Sequence, residues 1–266
     1  MLRRSSALLV LGFIALVASC DGYGVPGGNG TPVGVVLMNA RTKGAGYTTY
    51  PKVNFYSVGQ ATFEISTNNS DTCIVAPYDS AAVPNPSPAH LGAGAFMKMG
   101  LSGDSDTLYK ASTSDETYAS TNLAGFPFNP GDSMAFDIAG DAAGFPNLQG
   151  SSRTAEPFTI QTPVIPPVGQ VMNITWDAAT DLNAAMFISL LYNTGGGGTL
   201  NTQIFCDYHD IGHGVVQARF LPALSSSSVP FVLHAQRVRS TVLISSVLNG
   251  LLNVISTFEV PTPASP

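Results

Sequence analysis

Charge is the scarcest commodity in this sequence. Asp, Glu, Lys and Arg make up 11% of its 266 residues, against about 25% in a typical soluble domain. Eleven basic residues face seventeen acidic ones, for a net charge of −6. So few cations exclude a nucleic-acid partner, which requires Lys and Arg on phosphates. They equally exclude electrostatic attachment to anionic lipid. Histidine is rare as well, with four copies, and tryptophan occurs once. No Gly-x-Ser-x-Gly elbow, Ser-x-x-Lys, His-Glu-x-x-His or phosphate-cradling glycine loop occurs. The sequence therefore implies neither an enzyme nor a cofactor. Apolar runs of roughly 20 residues, the length of a spanning helix, are also missing.

What is present begins with a leader. Arg3-Arg4 make a short positive segment, and Ala7 to Val17 an apolar run of signal-peptide length. The run ends Val17-Ala18-Ser19-Cys20, four residues that resemble a lipobox, the cleavage and lipidation site of bacterial lipoproteins. The resemblance implies removal of residues 1–19 and a lipid anchor on Cys20, in the cell envelope and either periplasmic or surface-exposed. Residues 20–32, Gly- and Pro-rich, read as a tether. Beyond the leader, nine basic residues face seventeen acidic ones, a charge of −8. The acyl chains would then account for the membrane contact.

The rest is patterned for β-structure. Ser133-Met-Ala-Phe-Asp-Ile138 alternates with period two, as does Val171-Met-Asn-Ile-Thr-Trp176. Residues 185–192 are apolar on both faces, which suits a central strand. Strands are also expected at 33–38, 52–57, 61–66, 72–76, 91–101, 154–160, 202–207 and 215–220. The runs 107–111 and 116–119 should form a hairpin, with Asp104 and Asp106 in a turn. Asn249-Gly250 marks a hairpin between 231–248 and 251–258. The prolines of Thr162-Pro-Val-Ile-Pro-Pro-Val-Gly169 mark a linker. The expected architecture is all-β: two tandem antiparallel β-sandwich domains, 33–161 and 171–262, joined by linker 162–170.

Asn173-Ile-Thr-Trp176, Met186-Phe-Ile-Ser-Leu190, Cys206 and the turn Asp210-Ile-Gly212 resemble a recurrent module of bacterial surface lipoproteins. Its domains are immunoglobulin-like or fibronectin-like. Pro130-Gly-Asp132 and Gly144-Phe-Pro146 are similar to its companion domain. The resemblance implies a fold and an address but no activity.

Few residues offer chemistry. Cys73 and Cys206, 133 positions apart, form either a disulfide or two buried thiols. His209-Asp210-Ile-Gly-His213 resembles the His-Asp pair of helical phosphohydrolases, but its β-rich context excludes that chemistry. A small metal site of His209, Asp210 and His213 competes with a plain turn in which Asp210 binds backbone amides and Gly212 supplies positive φ. Asp104, Asp106, Asp115 and Glu116 lack a full calcium loop. Arg237 and Arg239 share a strand face and read as solvated charges, and Trp176 reads as core. The leading expectation is a non-enzymatic envelope lipoprotein with a structural or binding role, its partner an envelope protein or glycan. The alternatives are a sandwich with a metal or hydrolytic site near His209 and His213, and a carrier of a small apolar ligand.

Overall fold

The computed structural model describes residues 31–43, 46–58, 71–78, 91–101, 104–110, 117–122, 125–195, 199–225, 231–246 and 250–261. Among these residues, ten strands precede the proline-rich segment. They are β1 (Thr31–Lys43), β2 (Gly46–Thr49), β3 (Lys52–Val58), β4 (Thr72–Pro77), β5 (Phe96–Leu101), β6 (Asp104–Lys110), β7 (Tyr118–Ser120), β8 (Phe126–Phe128), β9 (Ser133–Ile138) and β10 (Leu148–Arg153). Six follow it: β11 (Met172–Thr175), β12 (Ala184–Tyr192), β13 (Thr202–His209), β14 (His213–Val216), β15 (Phe231–Ile244) and β16 (Leu251–Pro261). Helix is confined to short turns at Ala218–Phe220 and Pro222–Ser225 among the described residues.

The fold is all-β, but its strands do not divide into two tandem immunoglobulin-like sandwiches. Fourteen strands form one mixed sheet, whose main path runs β10-β9-β5-β6-β7-β3-β1-β16-β15-β12-β13-β4. β2 branches from β1 to pair with β8, and β11 pairs with β14 apart from the rest. The two halves of the chain meet where β1 runs parallel to β16, from Val33 opposite Leu251 to Ala40 opposite Phe258. They meet again where β4 pairs with β13.

Composition explains this joining. Val33-Gly-Val-Val-Leu-Met38 is apolar at consecutive positions, and Leu251-Leu-Asn-Val-Ile255 is broken by Asn253 alone, so both segments suit strands buried on both faces. Val33, Val35 and Val36 on β1, and Leu251, Leu252 and Val254 on β16, are all buried. Each strand needs neighbours on both sides, and each provides one for the other. Periodicity within a segment reveals that need but not which distant strand meets it.

The sheet curls until its first strand faces β15. The Ser152 hydroxyl on β10 donates to the Thr241 hydroxyl on β15 at 2.9 Å. The Ala155 amide donates to the Ser256 hydroxyl at 2.9 Å. One apolar core results, shared by Met97, Met134 and Phe136 from the first half and by Trp176, Ile188, Leu233 and Leu252 from the second.

Several local expectations agree with the structure. The Ser133–Ile138 strand alternates exposed and buried as its sequence does. β12 lies between β13 and β15, β6 pairs with β7, and β15 with β16. Asn129–Asp132 is a turn closed by the Asp132 amide on the Asn129 carbonyl, 3.2 Å. Other expectations need correcting. Residues 154–160 are not an edge strand. They cross from β10 to the end of β11, burying Ala155 and Phe158 while Pro157 and Thr159 stay exposed, and they make a single bridge, Ile160 to Trp176. The strand expected from Leu91 starts at Phe96. Asp104 and Asp106 belong to strand β6 instead of a turn. Residues 61–66, the loop 84–88, Asp115, Glu116 and Asn249 lie outside the described residues, as do the leader and tether.

Cys73 on β4 stands opposite Cys206 on β13, with sulfurs bonded at 2.06 Å and Cα atoms 4.0 Å apart. The bridge fastens a terminal strand of the sheet to its neighbour and closes a loop of 133 residues. Cross-links over loops this long restrict the unfolded chain substantially. Replacing both cysteines with serine should lower the free energy of unfolding by about 2–5 kcal/mol, read from urea denaturation. An unchanged midpoint would mean that the bridge contributes nothing to the fold.

Candidate functional site

The densest polar network among the described residues is buried. On β15, Phe231, Leu233 and Ala235 alternate inward, and Arg237 continues that series. Its side chain is 1% exposed, as is that of Asp210, its partner. The expectation of solvated charge fails here because β15 is flanked by β12 and β16, and the Arg237 side chain is covered by residues 156–158, Asp177 and Asp210.

A buried guanidinium is tolerated only when its donors are satisfied, and all five are. Nε donates to Asp210 Oδ2. One Nη2 hydrogen reaches Asp210 Oδ1 at 3.0 Å, and the other goes to the Asp177 carbonyl. Nη1 donates to the carbonyls of Pro157, at 2.8 Å, and Glu156, at 3.5 Å. The guanidinium carbon also lies 5.1 Å from the centre of the Phe158 ring, a cation–π contact. Asp210 Oδ1 accepts a further bond from Trp176 Nε1 at 2.7 Å. One ion pair thus ties together the crossing segment 156–158, the end of β11 and the turn after β13.

The turn is shaped to deliver Asp210 inward. Gly212 takes φ +91, a conformation that side chains rarely adopt. At Gly214 a Cβ would come within 2.7 Å of the Tyr208 ring. Trp176 packs on Tyr208 with ring centres 5.8 Å apart. The Tyr208 hydroxyl sits 3.2 Å from Cys73 Sγ, and its pKa is pushed well up by burial and then by the negative charge of Asp71.

The candidate metal residues do not converge. Asp210 is committed to Arg237 and Trp176, rather than to the backbone amides of a plain turn. His209 lies outside, about half exposed, with Nδ1 2.9 Å from Asp71 Oδ2. Its backbone amide donates to Asp71 Oδ1 at 2.8 Å. Asp71 reaches this position with φ +48. His213 is exposed at the start of β14, opposite Thr175. Among the described residues, no group of three His, Cys, Asp or Glu side chains is placed to hold a metal. Asp106, a calcium candidate, accepts from the Thr107 amide at 2.8 Å and from the Ser120 hydroxyl. Cys20 lies outside the described residues.

A second layer of carboxylates surrounds the buried pair. Arg239 Nε donates to Asp181, and Glu156 accepts from the Thr180 hydroxyl and amide. Burial on its own would raise the pKa of Asp181, but bonds from Arg239 and the Asn183 amide outweigh it and hold the value low. Glu156 follows the same logic, with burial outweighed by the Thr180 bonds and by Arg237 and Arg153. Asp177 is lowered chiefly by the Thr159 hydroxyl and amide. None of these partners was named by a motif. The inward period of β15 is the sequence signal that would have found Arg237, and with it the need for a buried anion.

The arrangement is structural in its chemistry, since Arg237 has no donor left for a ligand. Arg237→Met leaves a buried carboxylate without compensation and should cost about 3–5 kcal/mol of stability. Adding Asp210→Leu should recover much of that loss, because no buried charge then remains. A double variant as unstable as the sum of the singles would deny the coupling. The depressed carboxylates set a second expectation. Their contribution is complete above the ordinary carboxylate range, about pH 4, and is lost as pH falls through their lowered folded values. Urea midpoints should therefore hold from neutrality to about pH 5 and then decline, less steeply in Asp181→Asn. A midpoint rising on acidification would contradict the assignment.

No protein-family model matches this chain, and no curated protein matches it.

Proposed function

We propose that this chain is an exported lipoprotein, held at a membrane through lipid on Cys20, whose curled β-body has a structural or binding role and no catalytic one. The observation that carries this reading is the allocation of the three cysteines. Cys73 and Cys206 are bonded to each other, which leaves Cys20, at the end of Val17-Ala-Ser-Cys20 and behind Arg3-Arg4 and an apolar run. Disulfides persist in oxidising compartments such as the periplasm and the cell surface, so the bridge favours export independently of the leader. The acidic balance favours an acyl anchor over electrostatic adhesion. The envelope partner, in this reading, is a protein or a glycan. The metal or hydrolytic alternative loses support because His209, Asp210 and His213 face different surroundings.

Expression in a bacterial host followed by fractionation tests the proposal. The wild-type chain should partition with membranes, and its mature amino terminus should carry acyl mass on Cys20. Cys20→Ser should abolish the acyl mass and leave processing and membrane retention impaired. An unmodified Cys20, or cleavage at another position, would overturn the reading.

A further inference from the structure

The direction of the strands assigns the two ends of the sheet to different surroundings. β1 begins at Thr31, and Val33 stands beside Leu251, which itself pairs with Ile244. The chain therefore enters the body at the end where β15 finishes and β16 begins. There the Ser245 amide meets the Gly250 carbonyl at 2.8 Å. The Ser245 hydroxyl donates to the Asn147 carbonyl, also at 2.8 Å, so the turn between β9 and β10 lies alongside. Exposed at this end are Ile244, at 68%, and the small side chains Ala142 and Ala143. Asp141 is the one charged residue among positions 139–147.

The far end differs in chemistry and in distance. Phe231, the first residue of β15, pairs with Tyr192, beyond which Asn193, Thr194 and Asn201 form a web of amide and hydroxyl bonds. Thirteen steps along β15 separate Phe231 from Ile244, about 43 Å at the rise of a strand. Cys20 and Thr31 are eleven steps apart in sequence, a reach of at most about 40 Å and typically about 18 Å for a flexible chain.

We infer that the Thr31 end of the sheet, marked by Ile244 and the Asp141–Gly144 turn, rests on the lipid surface and that the Asn193–Asn201 end faces away. The occupant of this surface is the bilayer itself, at the headgroup boundary. Low charge suits the contact, because neither anionic nor zwitterionic headgroups repel it strongly. Ile244 supplies the apolar side chain that enters. The inference rests on the lipid-anchor reading, since it is the short tether from Cys20 that keeps this end within reach.

The test uses the full acylated chain in phosphatidylcholine vesicles containing brominated acyl chains. Tryptophan is introduced singly as Ile244→Trp, Ala142→Trp or Thr194→Trp, and the buried Trp176 signal is subtracted from the parent chain. An interfacial side chain sits about 5–10 Å into the boundary, so fluorescence at 244 should fall roughly twofold, with a smaller drop at 142 and none at 194. Intact mass of the same samples reports the acyl group. Acyl mass with no quenching at 244 and 142, or with stronger quenching at 194, overturns the orientation and leaves the anchor standing. Absence of acyl mass overturns the anchor, and the orientation falls with it. Ala142→Trp keeps the comparison decisive if the 244 variant folds poorly.

Discussion

The buried pair of Arg237 and Asp210 is the constraint on which the arrangement of the second half depends. A guanidinium in an apolar interior is unfavourable by several kcal/mol unless its donors and its charge are met. Meeting them requires five acceptors at fixed positions, and they come from the crossing segment, from the residue after Trp176 and from the turn after β13. Those pieces have weak claims on position by themselves. Residues 154–160 lack a ladder, and β11 pairs only with short β14. The ion pair converts three loosely specified segments into one specified arrangement, with Trp176 and Phe158 packed against it.

A second constraint acts on the sheet as a whole. Val33–Met38 of β1 and Leu251–Ile255 of β16 are largely apolar on both faces and lie inside the sheet, and their parallel pairing draws together the beginning and the end of the body. The proline-rich segment then joins strands that share one sheet and one core. Val164 and Val168 are exposed there, but Pro163 is buried and Ile165 packs on the core. At the end of the sheet, the Cys73–Cys206 bridge and the His209–Asp71 contact hold β4 against β13.

Much of the local structure was legible in the sequence. Period-two alternation placed β9 and β11, double-faced apolarity placed β12 at the centre of its neighbours, and Gly212 was recognisable as a positive-φ turn residue. Pairing between distant segments was not legible, because a strand's pattern states what kind of neighbour it needs without naming one. Arg237 was readable in principle. The series Phe231, Leu233, Ala235 points its side chain inward, and that period outweighs the usual preference of a strand arginine for water. Asp210 was not legible, because its neighbours His209 and His213 pattern as metal ligands while its actual partner lies 27 residues away.

The strands on both sides of residues 162–170 share one sheet and one core, and should therefore open as one cooperative body. Native-state hydrogen exchange by mass spectrometry, at increasing urea, measures this most directly. Amides of β5 and β9 from the first half, and of β12 and β15 from the second, should merge into a single opening reaction with one free energy and one urea dependence. Two separate openings, with the first half exchanging while the second remains protected, would contradict the account and restore the picture of tandem independent domains.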